Sequence, residues 1–298
     1  MALAADLEVL TQPTFQTTTR LGGVGRAARK NPAGAVAGIV CILLVVLGIL
    51  GPSLSPYSAN NIDFARLQAP SLSHPFGIDH LSRDMFSRII YGARNSLGIA
   101  FAAIAVSTAL GIALGIASGY FGGLLDMGTS RIIDIMLAYP ALVFVIFMVA
   151  IFGREFWTIS VAIGLILTPG ATRIVRSATI GVRSLQYIEA ARSLGGGDVW
   201  IMFRHVLPNV AAPIIVIASV NIGLAILIEA AISFLGLGVS SALNPSWGRM
   251  LQETRTYWQA AWWTMIVPGA AITLAVLSFN IFGDALRDAL DPRLRGGR

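Results

Sequence analysis

The feature that most constrains this chain is a run of 31 residues, 95–125, without one charged or histidine side chain. A helix needs ~20 mostly apolar residues to cross ~30 Å of hydrocarbon. Lipid offers a backbone no hydrogen-bond partners, so such a segment must satisfy its own N–H and C=O groups, as a helix does. Further mostly apolar stretches lie at 33–51, 132–152, 156–171, 210–235 and 260–282, with Asp134 and Glu229 their only charges, and together they predict about six spans. With 55 % hydrophobic and 12 % charged residues and a mean hydropathy of +0.74, the chain reads as an all-α, polytopic transmembrane helical bundle.

The net charge of +6 does not point to nucleic acid, because the basic residues sit in short segments between apolar spans. Six spans put both termini on one side. With that side inside, inner segments hold fourteen of the 21 Lys and Arg residues and outer segments seven. The excess predicts cytoplasmic termini. Basic residues before the first span could precede a cleaved leader, but Gly51-Pro52-Ser53 lacks a small-x-small cleavage site, and an uncleaved helix is expected.

Several chemistries are excluded. Cys41 is the one cysteine and sits mid-span, so there is no intrachain disulfide framework or cysteine-based metal site. His74, His80 and His205 are scattered. Lys30 is the sole lysine and no GxxxxGK[ST] surrounds it, so the chain has no phosphate-binding loop of that kind. If nucleotide energy is used, a partner supplies it.

The chain divides into a tail (1–32), a first helix (33–51), an external loop (52–94), a five-span core (95–283) and a basic tail (284–298). In the external loop, Asp79 is expected to cap an amphipathic helix through Tyr91 that lies on the membrane surface. Gly111, Gly115 and Gly119 make a small-xxx-small face for close helix approach, and Gly119-Tyr120-Phe121-Gly122-Gly123 a tight turn.

Two places draw functional attention. The polar, arginine-bearing loop at 172–208 reads as a helix over 184–194, a break at Gly195-Gly196-Gly197, and a second helix capped by Asp198 and running into Val206. Pro208 marks the re-entry. The residues alone leave two readings open, a lever grasped by another protein and an ordinary inner loop. The second place is Glu229, a carboxylate inside a span, which must be paired, protonated or facing water. It serves either a translocation path or gate, or a hydrogen bond that packs helices. Asn221, Ser278 and Asn280 are further candidates for lining a path, whereas Asp134 and Asp284 lie near span ends as solvated or arginine-paired groups.

Motifs in order along three quarters of the chain resemble one family. They include His74-Pro75-Phe76-Gly77 with Asp79, Arg83-Asp84 and Ser87-Arg88, and the Gly119–Gly123 turn. Tyr187-Ile188-Glu189-Ala190-Ala191-Arg192 and Arg204-His205-Val206-Leu207-Pro208-Asn209 follow. After Glu229-Ala230-Ala231-Ile232-Ser233-Phe234-Leu235-Gly236-Leu237-Gly238 come Pro245-Ser246-Trp247-Gly248 and Asp288-Ala289-Leu290-Asp291-Pro292-Arg293-Leu294. This set resembles the C-type permease subunit of oligopeptide/dipeptide ABC importers, a branch that also includes nickel and glutathione systems.

The resemblance implies a type I importer permease fold and an EAA loop in which Glu189, Ala190, Ala191, Arg192, Gly195 and Asp198 couple the chain to an ATPase. It implies a homologous B-type permease, two ATPase domains that bind the ATP and Mg, an external substrate-binding protein, and no cofactor or catalysis in this chain. His205 is usual for the peptide branch, while Gly196-Gly197 is more flexible than the usual turn and is expected to loosen the coupling segment. A self-sufficient secondary transporter or channel is the alternative, against which stand the lack of an internal repeat and of an ion relay beyond Glu229. A membrane enzyme would need a convergent nucleophile, base or metal set, and none is visible. The substrate is not legible.

Overall fold

The computed structural model describes residues 31–240 and 244–290. The tail at 1–30 and the motif residues Asp291-Pro292-Arg293-Leu294 lie outside the described residues.

The described chain is helical, with one isolated bridge between Ile78 and Asp84. Helix α1 (Pro32–Leu54) starts on Asn31, whose Oδ1 accepts from Gly34 N at 2.9 Å, with Pro32 at the first turn. Next come α2 (Met85–Phe121), α3 (Gly123–Ala138), α4 (Ala141–Phe152) and α5 (Phe156–Arg183). A short α6 (Gln186–Ser193) and α7 (Asp198–Ile201) precede a π turn, Met202–Val206, and a last turn, Leu207–Asn209. The long α8 (Ala211–Phe234), the short α9 (Trp247–Thr254) and α10 (Trp263–Leu290) complete the order. Five helices are long and apolar enough to cross a membrane, or six spans if α3 and α4 count as one.

Helices α2 and α5 form the most extensive pair. The glycine stripe explains why: a Cβ at Gly111, Gly115 or Gly119 would lie 2.7–2.8 Å from atoms of Ala171, Val175 or Arg176. Their absence lets two backbones approach as the spacing predicted. Gly164 does the same from the α5 side, against Ala103 and Val106. Helices α8 and α10 pack together, and α1 lies across α2 and α10.

Several expected boundaries move. No surface helix covers 79–91. Instead α2 begins at Met85, ten residues before the expected span, and Asp84 caps it, accepting from Ser87 N at 2.7 Å. Asp79, Arg83, Asp84 and Arg88 are buried, because each charge meets a partner in the protein rather than water, and the two arginines reach the distant Glu253. The third span is broken: α3 and α4 meet at 89°. Pro140 cannot continue a helix and holds Tyr139 extended, at φ −93° and ψ 136°. Helix α5 continues through Pro169 to Arg183, so the functional loop starts near 184, not 172. Helix α10 likewise runs to Leu290, so the expected tail at 284–298 begins inside a helix.

Candidate functional site

The loop between α5 and α8 is built as two layers. Its lower face is apolar: Ile188 of α6, Ile201 of α7 and Val206 of the π turn are buried with Ile116, Tyr120, Val175, Val210 and Ile214. Water exclusion from those side chains, about 1.5–3 kcal/mol for each large one, fixes the short helices on the ends of α2 and α5. Neither α6 nor α7 is long enough to hold its shape alone.

None of the described residues packs over the upper face. Leu194 is 89 % exposed and Phe203 68 %, with Val199 and Trp200 exposed beside them. Val199, Trp200, Phe203 and Arg204 line an open groove of about 750 Å³ with Gly197 and Asp198. Contiguous apolar surface of this kind marks a place where another body sits. Glu189, Ala190 and Arg192 are also exposed, and Ala191 is half-buried. His205 lies edge-on to Trp200, ring centroids 4.8 Å apart, bracing the groove from within.

Between the two helices Gly195 has φ +86°, a left-handed conformation that L side chains rarely adopt, and nothing lies within 4 Å of where a Cβ would stand. Gly196 differs from the expected slack hinge. Its N–H donates to Ala191 O at 3.0 Å, and a Cβ there would meet that oxygen at 2.8 Å and the Trp200 ring at 3.3 Å. It is a packing glycine. Asp198 is not the cap of α7 either. Gly197 holds that position, and the Asp198 carboxylate accepts instead from the Tyr120 hydroxyl at 2.7 Å. Arg192 Nη2 donates to the same hydroxyl at 3.0 Å, and its guanidinium lies 5.4 Å from the Tyr120 ring centroid. These contacts hold the Arg192 pKa above its ordinary value, the Tyr120 hydrogen bond first among the causes.

Arg183 Nη1 donates to Tyr120 O at 2.8 Å. Arg176 pairs with Asp126 of α3 through both nitrogens of one edge, and Arg173 with Asp134 at 2.8 Å. The arginine-paired reading of Asp134 holds.

The family model for binding-protein-dependent transport system inner membrane components matches residues 111–296, which include this loop and its anchors. The chain belongs to that family. A model for the N-terminal TM domain of oligopeptide transport permease C matches residues 20–70 of the permease. The permease is 44 % identical over 269 residues to the dipeptide transport system permease protein DppC of Alkalihalophilus pseudofirmus, covering 90 % of this chain and 88 % of that one. It is 39 % identical to the glutathione transport system permease protein GsiD of Pectobacterium atrosepticum, over 99 % and 97 % of the two chains. Among solved structures, an inward-facing MetNI methionine ABC transporter shares the fold. The TM-score is 0.57 at 17 % identity, covering 70 % of the permease and 98 % of that chain. The resemblance carried by the motifs is borne out, and the permease is a multi-pass bacterial inner-membrane transport subunit.

At the opposite end of α2, Glu229 of α8 is 1 % exposed. Ser233 Oγ donates to its Oε1 at 2.7 Å, and Ser246 Oγ donates to Ser233 Oγ at 3.3 Å. Its Oε2 has no hydrogen-bond partner among the described residues. The carboxylate therefore lies where α8 and the start of α9 meet, inside the chain's own packing. Ser278 is buried, and Asn221 and Asn280 are half-buried. Asn280 fills the space that a Cβ on Gly223 would take, 2.6 Å from its Oδ1.

Sequence reasoning missed the network beside it. Asp79 Oδ2 accepts from Arg83 Nε at 2.7 Å, and Glu253 Oε2 accepts from Arg83 Nη2 at 2.7 Å and Arg88 Nη2 at 3.0 Å. Arg249 Nε donates to Glu253 Oε1 at 2.8 Å, and His74 Nδ1 lies 2.9 Å from Asp84 Oδ1. Burial alone would raise the Glu253 pKa, but Arg88 and Arg83 outweigh it and hold it below the ordinary carboxylate value. His80, stacked on Tyr257 at 4.9 Å, is pushed down from 6.5, chiefly by burial. The dense charge of the Arg83-Asp84 and Ser87-Arg88 motifs was a usable signal, since buried charges must find partners.

Proposed function

We propose that the permease forms half of a translocation path for di- or oligopeptides, paired with a homologous B-type permease. A peptide substrate is favoured by the likeness to DppC at 44 % identity and to the oligopeptide permease C domain. The likeness to GsiD makes glutathione, itself a small peptide, the second candidate. An external binding protein delivers the substrate, and two ATPase domains bind the ATP and Mg on the cytoplasmic side, where both termini lie.

The observation that carries this reading is the two-faced loop. Its buried face ties α6 and α7 to the membrane helices, and its exposed face presents Leu194, Val199, Trp200 and Phe203 uncovered by any of the described residues. An ATPase cleft closing on that face, with Glu189 against a basic residue of the cleft, would move the helices beneath as a unit. ATP-driven closure would then bias a rigid-body switch between inward- and outward-facing forms. For the path itself we retain Asn221 and Asn280, half-buried on α8 and α10, over Glu229 and Ser278, which are buried in the chain's own packing.

The test is reconstitution of the permease with its neighbouring permease, ATPases and binding protein in liposomes. Tritiated dialanine, tetra-alanine and glutathione are the probes. ATP-dependent uptake of an alanine peptide is expected, with loss of both ATPase retention and uptake in a Leu194→Asp, Phe203→Asp double variant. Uptake without ATP, or full ATPase retention by that variant, would sink the reading.

A further inference from the structure

We infer that Tyr120 is a positioning residue that joins the coupling loop to α2, so that movement of the loop enters the membrane through a helix to which it has no chain connection. The inference rests on the ATPase-docking reading above. Along the chain, the loop is attached to α5 and α8 only. The apolar cluster seats α6 and α7 on α2 and α5, but the left-handed turn at Gly195 still lets the two short helices give against each other and absorb part of a push.

The geometry removes that slack. Arg192 stands in the last turn of α6 and Asp198 in the first residue of α7, on either side of Gly195-Gly196-Gly197. Both bind one oxygen. The Tyr120 hydroxyl donates to Asp198 Oδ1 at 2.7 Å and accepts from Arg192 Nη2 at 3.0 Å, so its donor and one acceptor position are filled from opposite sides of the glycine turn. Closing the turn across a third point makes α6 and α7 one body. That body is fixed to α2, because Tyr120 is 3 % exposed and its ring is packed in the apolar cluster with Ile116 and Val175. Its carbonyl accepts from Arg183 Nη1 at 2.8 Å, which ties the end of α5 to the same residue. Three elements thus converge on one side chain and its backbone, each through a charge-assisted bond.

On this account Arg192 and Asp198 do internal work first. Their bonds to Tyr120 pass movement of the docked loop into α2, while docking itself rests on the exposed side chains.

The experiment uses the complete reconstituted complex and whichever probe of the peptide panel the wild type accumulates. Tyr120→Phe keeps the ring, its packing and the cation contact, and removes both hydroxyl bonds. It is expected to retain the ATPase in wild-type amount while probe accumulated per phosphate released falls about five- to tenfold. Asp198→Ala should give a fall of similar size, and the double variant should be no worse than either single one, as for two groups acting through one contact. Asp198→Asn, which keeps an acceptor at Oδ1, should recover most of the coupling. Wild-type coupling in Tyr120→Phe, loss of ATPase from that variant, or additive losses in the double variant would each overturn this inference alone. Absence of ATPase from the wild-type complex would overturn the docking reading and this inference with it.

Discussion

Arg83 Nη2 donates to Glu253 Oε2 at 2.7 Å, joining the segment before α2 to α9 across 170 positions of sequence. Arg88 shares that oxygen and Arg249 takes the other, so Glu253 answers three guanidinium groups. Removing one partner of a buried ionic group leaves charge uncompensated, which is far costlier than never having had the pair.

Glu253→Gln is therefore expected to destabilise the purified complex by about 3 kcal/mol, read by thermal unfolding in detergent. The pH dependence follows from two signs. Glu253 has a depressed folded pKa, so its contribution is present above the ordinary 4.5 and is lost as pH falls below it. His80, also depressed, is favoured neutral, so its contribution holds above 6.5 and declines as pH falls from there. Wild type should lose stability in both windows, and Glu253→Gln should lose less in the lower one, where Asp126, held down by Arg176, still titrates. An unchanged lower window in the variant would contradict the assignment.

The α2–α5 contact should be intolerant of added volume. Gly115→Ala places a Cβ 2.7 Å from Val175 Cβ, between two backbones that cannot both yield. A loss of about 1–3 kcal/mol is expected from such overpacking. Gly181→Ala, on α5 with nothing within 4 Å, is the control and should be neutral or slightly stabilising. Equal behaviour of the two variants in unfolding assays would count against the stripe.

Glu229 should act as a hydrogen-bonding group. Glu229→Gln keeps an acceptor for Ser233 and is expected to assemble and transport. Glu229→Leu strands that hydroxyl and should lower stability by about 1–3 kcal/mol. Size-exclusion profiles and probe uptake distinguish the outcomes, and transport lost in a fully assembled Gln variant would restore a role in the path.

Gly195 is expected to matter through its backbone. With φ +86° and open space around it, Gly195→Val should cost about 1–2 kcal/mol in loop geometry, and Gly195→Asn, which tolerates this conformation better, markedly less. Uptake should follow the same order, with insertion normal in both. Glu189→Ala should insert normally and retain less ATPase, by about 1.5–3 kcal/mol of a charge-assisted contact if that contact is dry. Full uptake by Gly195→Val and Glu189→Ala would remove the loop from coupling.

Orientation is open to direct labelling. With Cys41 replaced by Ser, single cysteines at the exposed Ser73 and Ser184 should differ in intact cells. An impermeant maleimide should label the first and leave the second untouched; the reverse would invert the topology and place the coupling loop outside.

Much of this was legible in the chain. Apolar runs located every long helix, and four-residue glycine spacing located the tightest contact, because both depend on neighbours along one helix. What failed depended on distant partners. Arg83, Asp84 and Arg88 read as part of a surface helix capped by Asp79, since nothing local indicates that Glu253 waits 170 residues on from Arg83. Asp198 looked like a cap because its partner, Tyr120, lies 78 residues earlier. The break at Pro140 was readable and was overridden by the hydrophobicity on both sides.

The continuity of α2 has a consequence for which changes the permease can accept. Its 37 residues rise ~55 Å without interruption, with Asp84 and Arg88 engaged at one end and Tyr120 at the other. Each residue of an α-helix turns the chain by ~100°, so the two ends are locked in phase. Inserting or deleting one residue in the middle of α2 would leave every side chain present and rotate one anchoring set away from its partners. Substitution along this helix is a matter of volume, whereas a change of length is a matter of angle and of reach, since even whole added turns, which restore the angle, would push the two anchored ends apart by ~5.4 Å each.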